Sequence, residues 1–426
     1  RVSGAYRLTE DVRIKGIQEL KLRASVGTSG IRPTFEQRFE TFELVNGVTT
    51  KNTLGNEFLR PALSRETEIG VDMRFLKAFE LEFNYSQIVT EDQVLLVPLT
   101  GAAGFTGQWR NAGTIEAKVY EAGLNTDFKR MFNIKLPDFR WNVYTTFSRV
   151  EQTISKLDVP SYVTGPGLQQ SSIFLIEEGQ PFGTMIGEVF ATDLSQLDGQ
   201  EGVNAADYTT NAAGYVVRQD QLGTPAARPY KLLDERGNPL VQPIGNILPD
   251  FRMGFAHFLG YKGFQVYTLF DWKKGGDVYN MTKHWLYRDA RHGEVSAYPD
   301  IAGGFFGNDG LYNAQVANNH FVEDGSFFML REASISYTFE RGSIGNFFEQ
   351  LRLSLIGRNL FTITDYSGFH PDVTSAPRDE NQLTNRFANE RGSDVRTPGG
   401  DPSVFLVDAF NYPLARTLTM SLQITF

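Results

Sequence analysis

Apolar and polar residues alternate along much of this chain with a period of two. In the C-terminal segment every second position is apolar, and these positions are Leu418, Met420, Leu422, Ile424 and Phe426. The positions between them hold only Thr, Ser or Gln. Stretches 67–76, 78–89 and 327–339 show the same alternation. Successive side chains of a strand point to opposite faces of its sheet, so this period predicts strands with one apolar and one polar face.

The alternation predicts thirteen strands distributed over the whole chain. They are placed at 2–8, 20–28, 67–76, 78–89, 114–127, 139–150, 170–177, 182–190, 250–259, 262–272, 327–339, 351–361 and 416–426. Many have about ten residues, which is the length of a tilted strand that crosses a bilayer. Strands of water-soluble sandwiches are usually shorter, with about five or six residues.

The connections between the predicted strands alternate between short and long. Those after odd-numbered strands have about 11 residues or fewer, and those after even-numbered strands have about 19 to about 59. An antiparallel meander with all its long loops at one end has this pattern. Outer-membrane barrels have short periplasmic turns and long extracellular loops. The sequence therefore predicts an all-β fold, a transmembrane antiparallel β-barrel with long extracellular loops.

The apolar faces of the predicted strands allow two arrangements. If they pointed inward, the chain would be a soluble, lipocalin-like barrel, but thirteen strands would enclose a space too wide for side chains to fill. If they point outward to lipid, the polar residues line a wet lumen. Closure of the barrel then removes unpaired strand edges, which lipid cannot satisfy. The pattern favours the lipid-facing arrangement.

Composition and charge narrow the function classes further. The chain has 426 residues, and 41 basic against 50 acidic side chains give a net charge of −9. A nucleic-acid-binding protein needs a basic surface, so the charge argues against that class. Cysteine is absent, which excludes disulfide frameworks and thiolate metal sites in this chain. No apolar run has the roughly 18 residues of a membrane-spanning helix.

The sequence offers little for catalysis. It contains no nucleophile elbow, no H-E-x-x-H and no phosphate-binding glycine loop. Its histidines are scattered and never paired at metal-ligand spacing, at positions His257, His284, His292, His320 and His370. Glu80 and Glu82 share a strand face, where a solvated lumen explains them without acid–base chemistry. We therefore predict no enzyme activity, no catalytic residue, no cofactor and no metal site.

Aromatic residues are concentrated in the long connections. The predicted loop 273–326 contains Tyr279, Trp285, Tyr287, Tyr298, Phe305, Phe306 and Tyr312. Such rings can stack on sugars or peptides, or they can pack the loop against its neighbours or a partner protein. At the other end, Phe426 closes the final alternating strand. A terminal aromatic residue in that position is typical of the signal read by the barrel-insertion machinery, and we predict that role for Phe426.

Eight segments, in order along the chain, resemble motifs of one protein family. They are the segment 20–30 (LKLRASVGTSG), 54–72 with LGN and EIGVD, Asn111 with Gly113, 178–187 with EGQP, 244–255 with IG and GF, 323–339 with EDGSF and SYTF, 357–368 with GRNLFT, and 412–417 with YP and RT. Together they resemble the SusC/RagA-like, TonB-dependent outer-membrane transporters of the Bacteroidota. One departure concerns an Asp-rich loop with calcium-like spacing, which here is 233–239 and retains only Asp234 of the loop's aspartates.

The resemblance implies an architecture and a position for this chain within it. Family barrels have 22 strands and an N-terminal plug domain. Residues 1–426 would be the C-terminal part of such a barrel, with the plug and the N-terminal strands outside this chain. The thirteen predicted strands would be the last thirteen, and the final one would descend to the periplasm. That orientation places every long loop outside the cell.

The resemblance also implies a function and partners. The expected role is active import of a large nutrient, an oligosaccharide or a peptide, across the Gram-negative outer membrane. A SusD-like surface lipoprotein would cap the loops, the TonB complex would act through the missing plug, and transporter–lipoprotein pairs would form dimers. Residues expected at the rim for ligand or lid are Trp285, Tyr287, Tyr366 and His370. Two alternatives stay open, namely a plugless barrel that serves as a scaffold in an envelope complex and a secreted β-rich glycan-binding or hydrolase domain.

Overall fold

The computed structural model describes residues 1–45, 47–167, 172–224, 226–297, 310–313, 315–340, 342, 348–373, 407–410 and 413–426. Its strands in chain order are β1 (Val2–Arg7), β2 (Ile17–Ile31), β3 (Phe42–Val45), β4 (Val48–Lys51), β5 (Thr53–Leu54), β6 (Ala62–Phe75), β7 (Phe79–Pro98), β8 (Gly107–Asp127), β9 (Arg140–Leu157), β10 (Tyr162–Gly167), β11 (Ser172–Ile176), β12 (Thr184–Glu188), β13 (Tyr208–Thr210), β14 (Val216–Arg218), β15 (Val241–Asn246), β16 (Pro249–Tyr261), β17 (Phe264–Gly275), β18 (Asp277–Tyr279), β19 (Val322–Asp324), β20 (Phe327–Glu340), β21 (Gln350–Ile363) and β22 (Thr417–Thr425).

Helices are short and lie between the strands. The α-helices are α1 (Phe35–Arg38), α2 (Phe128–Met131), α3 (Met281–Arg288) and α4 (Gly293–Ala297). Single 3-10 turns occur at Leu8–Glu10, Gly101–Ala103, Leu194–Leu197, Ala205–Asp207, Gln219–Gln221 and Asn319–Phe321. Over the described ranges, none of these helices is long and apolar enough to cross a membrane.

The long strands form one antiparallel meander. A 12-stranded sheet has the order β1-β2-β6-β7-β8-β9-β16-β17-β20-β21-β22, and β5 joins it beside β8. Each long strand pairs antiparallel with the next long strand along the chain, as in β6 with β7 and β16 with β17. The predicted antiparallel meander is confirmed by this order.

Two of the thirteen predicted strands do not belong to the meander. The strands predicted at 170–177 and 182–190 form as β11 and β12, but they lie in a separate four-stranded sheet with β10 and β15. Ile173, Phe174 and Met185 are fully buried there. Strands covered on both faces lose the simple alternation of a barrel strand, which explains why apolar and polar residues alternate only irregularly in 170–177 and 182–190. Among the described residues, the meander therefore has eleven strands, and the expectation that all thirteen predicted strands belong to the barrel was wrong.

One connection predicted to be long is in fact mostly strand. Residues 90–113 were assigned to a loop, but β7 and β8 have 20 and 21 residues and leave only 99–106 between them. The register shifts at 90–93, where Asp92 has a φ of 54°. Beyond this bulge the hairpin continues, because Val94 and Trp109 pack on Leu59 while Leu95 and its neighbours form a second apolar cluster. The other even-numbered connections of the meander are long, as predicted.

The pairing register divides the main sheet into two faces. On one face Leu22, Val71 and Phe83 are cross-strand neighbours, as are Val266, Ile335 and Leu355 further along. The side chains on this face are apolar, and many of them are exposed. Met420 on β22, which pairs with Leu355, has 82% of its surface accessible. On the other face Lys21, Asp72 and Glu82 are neighbours. We call these the apolar face and the polar face.

The long loops pack over one end of the polar face. Register places Ile115 and Ile154 on the polar face, where Ile176 and Phe182 of the loop sheet pack against them. Further out, the connections 158–248 and 276–326 share an apolar core with Val407. Its fully buried members include Phe174, Phe190, Tyr279, Met281, Tyr287 and Phe321. The loops are therefore a packed layer and not a set of free segments.

Glycines at two motif positions permit this close packing. A Cβ on Gly187 would lie 2.4 Å from the carbonyl oxygen of Ala317, so only glycine fits where β12 passes the loop 310–321. Gly183 has a φ of 92°, which L side chains rarely adopt, and a Cβ there would overlap Ile247. Both belong to the segment 178–187 that the sequence comparison singled out.

Candidate functional site

The middle of the polar face is an ionic network. Arg23 on β2 donates to Asp72 on β6 at 2.7 Å, to Glu82 on β7 at 3.3 Å and to Asn84 at 2.8 Å. Lys21 approaches the same Asp72 at 3.3 Å. Charges of both signs that remain partly exposed suit a wall that faces water. The carboxylates predicted to line a wet lumen are on this wall.

A second network lies on the polar face near the loops. Arg252 on β16 donates through Nε and Nη2 to Asp271 on β17, at 2.9 and 2.6 Å. Arg331 on β20 donates to the same carboxylate at 2.9 and 2.7 Å. Both guanidinium groups also contact Asp372, with Arg252 at 3.2 Å. Asp372 belongs to the connection 364–416, and its side chain is fully buried.

An aromatic ring supports the cations of this network. The ring of Phe327, which is 2% exposed, has Arg252, Lys273 and Arg331 at 5.7, 5.4 and 5.5 Å from its centroid. A ring face attracts a cation within about 6 Å. Phe327 thus helps to hold three cations together, and it is the last residue of the EDGSF motif.

The rest of the EDGSF motif fastens the loop after β21. Glu323 accepts hydrogen bonds from the Ser367 amide at 2.7 Å and from the Ser367 hydroxyl at 2.8 Å. The hydroxyl of Thr364 donates to the Ser326 carbonyl at 2.7 Å. The motif's polar residues therefore join the end of β21 to the start of β20.

A buried carboxylate ties two loops together. Asp408 is fully buried and accepts from the Tyr366 hydroxyl at 2.6 Å and from the Thr282 hydroxyl at 3.0 Å. The Thr282 hydroxyl in turn accepts from the Phe410 amide at 2.7 Å. Burial, together with the Asp408 charge, raises the pKa of Tyr366 well above its usual value, so its hydroxyl stays protonated and donates. Tyr366 and residues 408–410 are thereby fixed to α3.

The predicted rim residues fall into two groups. Tyr287 and Tyr366 are 1% and 5% exposed, so the chain itself covers their rings. Trp285 is half-buried and stacks on Phe410 with ring centroids 5.1 Å apart. His370 is half-buried, and its Nδ1 accepts from the Asp372 amide at 3.2 Å. Trp285 and Phe410 thus retain partly exposed rings, whereas Tyr287 and Tyr366 hold the loops in place.

Tyr287 is part of a polar cluster inside the loop layer. Its hydroxyl donates to Glu294, which also lies 3.2 Å from Lys283 Nζ. His320 accepts at Nδ1 from the Tyr215 hydroxyl at 2.5 Å, or donates to it in the other tautomer. Burial lowers the pKa of His320 well below its usual value, and the nearby Lys283 charge lowers it further. The neutral ring therefore persists at pH 7.

The loop 233–239, which corresponds to the family's Asp-rich loop, is stabilised by the side chain of Asp234. Asp234 accepts from the backbone amides of Arg236 and Asn238, both at 2.9 Å. These bonds to its charged form lower the pKa of Asp234. Within the described ranges, no group of three or more His, Asp or Glu side chains is placed to hold a metal ion.

The C-terminal residue lies just beyond the last strand. Phe426 follows β22, is 81% exposed and has its ring 6.0 Å from that of Phe348. Its alternation with Ile424 and Leu422 places it in line with the apolar face. The insertion signal predicted for Phe426 remains a prediction.

Sequence reasoning missed the residues that organise this site. Arg252, Asp271, Arg331 and Asp372 come from four separate parts of the chain, and no local spacing relates them. Two weak signals existed. Arg331 lies in the motif segment 323–339, and Asp372 follows the segment 357–368, where the family pattern continues with an acidic residue.

An antiparallel meander with one apolar and one polar face, capped by packed loops, defines a membrane β-barrel of the outer-membrane class. A model of the family described as TonB dependent receptor-like, beta-barrel, matches residues 1–360. This chain belongs to that family. Its members are transporters of the outer membrane and not enzymes, so the predicted localisation and the absence of an enzyme class are both supported by the family.

Curated relatives and solved structures agree with this assignment. TonB-dependent receptor P3 of Formosa agariphila is 27% identical over 95% of this chain and 39% of its own length, and receptor P39 of the same organism is 26% identical over 86% and 39%. The RagAB peptide importer in its closed-closed state aligns over 100% of this chain and 43% of its own, with a TM-score of 0.65 and 17% identity. The chain thus spans about two fifths of the length of these relatives. The alternative of a secreted soluble domain does not hold for a member of this family.

Proposed function

We propose that this chain is the C-terminal part of a barrel that actively imports a large nutrient, an oligosaccharide or a peptide. The main support is the layer of packed loops over the polar face, anchored at Asp372 and Asp408. Such a layer restricts entry to cargo that the loops admit, and the ionic polar face gives the cargo a hydrated wall to follow. The remaining strands and the plug would belong to parts of the protein outside residues 1–426.

Trp285 and Phe410 would provide the contact surface for cargo or lid. Their rings stack, Phe410 is 53% exposed, and the Thr282–Asp408 network holds both loops in register. A preorganised pair of rings suits the apolar face of a sugar or a peptide side chain. Half-buried His370 lies beside Asp372 and would act at the same rim.

The proposal includes partners that this chain does not itself contain. A SusD-like lipoprotein would close over the loop layer, and the TonB complex would act through the plug outside this chain. Pairs of transporter and lipoprotein would associate as dimers. Phe426 would serve as the signal for barrel insertion, because it ends the last strand in line with the lipid-facing residues.

Uptake measurements in the native bacterium test this proposal. The gene is deleted and complemented with the wild type, with Trp285→Ala or with Phe58→Ala, and uptake of labelled oligosaccharide and peptide mixtures is compared. We expect the deletion to abolish uptake of one cargo class and Trp285→Ala to reduce it several-fold. Phe58→Ala is the matched control, because Phe58 is an aromatic residue that is 91% exposed in the connection 32–61.

Two results would contradict the proposal. Unchanged uptake of both cargo classes in the deletion strain would remove the import function. If that strain instead lost another envelope protein from the outer membrane, the scaffold alternative would replace it. Full uptake by Trp285→Ala would remove only the role of the ring pair.

A further inference from the structure

In the network around Arg252 and Arg331, the Asp372 side chain belongs to a loop, whereas the other side chains belong to barrel strands. Arg252, Asp271, Lys273 and Arg331 are on β16, β17 and β20 of the barrel wall. Asp372 comes from the loop after β21 and reaches the two guanidinium groups from outside the wall. Without Asp372, the side chains of this network carry three positive charges and one negative charge. We call Arg252 and Arg331 the arginine pair.

Asp271 keeps the arginine pair in position without help from Asp372. Each arginine donates through both Nε and Nη2 to the Asp271 carboxylate, at 2.6 to 2.9 Å. A guanidinium group has five N–H donors in a rigid fork, so donors remain for a second anion. The pair is therefore a preorganised anion site whose second position is filled by Asp372.

We infer that the arginine pair is an anion-binding site for the cargo, and that Asp372 is a tethered carboxylate which occupies it while the loop is closed. The inference rests on the proposed import function. An acidic group of the cargo, a carboxylate or a sulfate, would compete with Asp372 for the same donors. Displacement of Asp372 would release residues 368–373 from the wall.

Thermodynamic linkage connects the loop and the anion. If Asp372 left without a replacement, the half-buried arginine pair would lose a charged partner, which is unfavourable. An anion that binds the vacated donors removes this cost, so it shifts the loop towards the released position. An uncharged compound has no such differential affinity and shifts nothing.

The surroundings of the arginine pair favour exchange of Asp372 for another anion over permanent binding of Asp372. Arg252 keeps 36% of its side chain exposed, so an anion from the lumen can reach it. The side chain of Asp372 is fully buried, and its carboxylate contacts both members of the arginine pair. Residues 364–367 are held separately, by the Thr364–Ser326, Tyr366–Asp408 and Ser367–Glu323 bonds. These bonds fix the base of the segment, so the loop would pivot there and not detach.

A label in the loop tests the inference in the full-length transporter. The chain has no cysteine, so Phe369→Cys, at a residue that is 59% exposed, can carry an environment-sensitive fluorophore. Succinate and sulfate are the probes, succinamide is the uncharged control, and sodium chloride keeps the ionic strength constant. We expect succinate or sulfate to change the label signal, with half of the change at roughly millimolar concentration, as for competition with a tethered group.

Two variants in the labelled background separate this site from general effects. Asp372→Asn should show the signal of the anion-saturated wild type and no further response to either anion. Asp365→Asn, which changes an exposed aspartate of the same loop, should behave as the wild type. If Asp372→Asn fails to assemble, Asp372→Glu keeps the charge but misplaces it, and should respond at a lower anion concentration than the wild type.

The outcomes distinguish the anion site from the import function. A response to succinate alone identifies carboxylates as the cargo chemistry, and a response to sulfate extends it to sulfated cargo. No response to either anion, or an equal response to succinamide, overturns the anion site. Normal uptake without an anion response removes only this inference, whereas an anion response in a protein that imports nothing removes only the proposed function.

Discussion

Single side chains in the loop layer were recognised by type but not by environment. The rings of Tyr287 and Tyr366 were expected at the rim because aromatic residues often contact ligands. Both instead donate hydrogen bonds to carboxylates, to half-buried Glu294 and to fully buried Asp408. The same loop sequence supports either role, since burial depends on segments more than 100 residues away. At the residue scale, the sequence predicted where aromatic residues are concentrated but not which of them are covered.

We predict that His284 makes the loop layer sensitive to acid. Its Nε2 donates to the Asn313 carbonyl at 2.9 Å, and the rings of Tyr312 and Phe321 flank it at 4.9 and 4.6 Å. Burial lowers the pKa of His284 to about 4. In the unfolded loop the pKa is about 6.5, so the unfolded state binds a proton first as the pH falls. Stability from this residue is complete above about pH 6.5 and is lost between that pH and about pH 4, by roughly 1 to 3 kcal/mol.

Hydrogen exchange can measure this loss. We expect the amides of α3 to exchange faster at pH 5 than at pH 7.5 after correction for the intrinsic rate. His284→Gln should reduce the difference, because it keeps a donor for the Asn313 carbonyl and removes the titrating ring. His257→Gln, a change within β16 of the barrel wall, is the control. Equal protection of α3 at both pH values would contradict the prediction.

At the element scale, alternation located the barrel strands and failed where both strand faces are covered. The strands of the meander each have one exposed face, so the period of two survives in their sequence. β11 and β12 are covered on both faces, and the extended parts of β7 and β8 are packed by Leu59 on one side and by Ile176 and Phe182 on the other. The alternation is absent in these strands because other segments pack on both of their faces.

The two faces of β20 predict opposite outcomes for one substitution. Ile335 lies on the apolar face between Val266 and Leu355 and is 48% exposed. Ile335→Arg should destabilise the folded barrel, by an amount between about 1 kcal/mol near the interface and about 4 kcal/mol at the bilayer midplane, because it places a charge on the lipid-facing surface. The adjacent Ser334→Arg points to the polar face and should have little effect.

The yield of folded barrel in the outer membrane is the measurement for this pair of variants. Folded and unfolded barrels are separated by their different migration on gels without heating. We expect a clear loss of the folded form for Ile335→Arg only. Equal yields for the two variants would mean that the apolar face does not contact lipid.

At the scale of the whole molecule, strand order and loop length set the orientation in the membrane. The turns 76–78 and 262–263 and the connection 128–139 lie at one end of the meander, and the packed loops lie at the other. Outer-membrane barrels have long extracellular loops and short periplasmic turns, so we predict that the packed loops lie outside the cell and the turns in the periplasm.

Cysteine labelling tests this orientation. A membrane-impermeant maleimide should label Phe58→Cys, in the connection 32–61, on intact cells. Lys135→Cys, in the connection 128–139, should be labelled only after the outer membrane is permeabilised. Both should react equally in lysed cells, which controls for reactivity. Labelling of residue 135 on intact cells would reverse the proposed orientation.

The sequence by itself determined the membrane barrel, its antiparallel order and its family, because a period of two and local motifs are properties of neighbouring residues. Tertiary structure alone decided that β11 and β12 leave the barrel wall and that Tyr287 and Tyr366 are buried. It also decided that Asp372 meets Arg252 and Arg331. Contacts of this kind join residues that are far apart in the chain, such as Arg252 and Asp372, which are 120 positions apart. Their energy depends on geometry that no local pattern encodes.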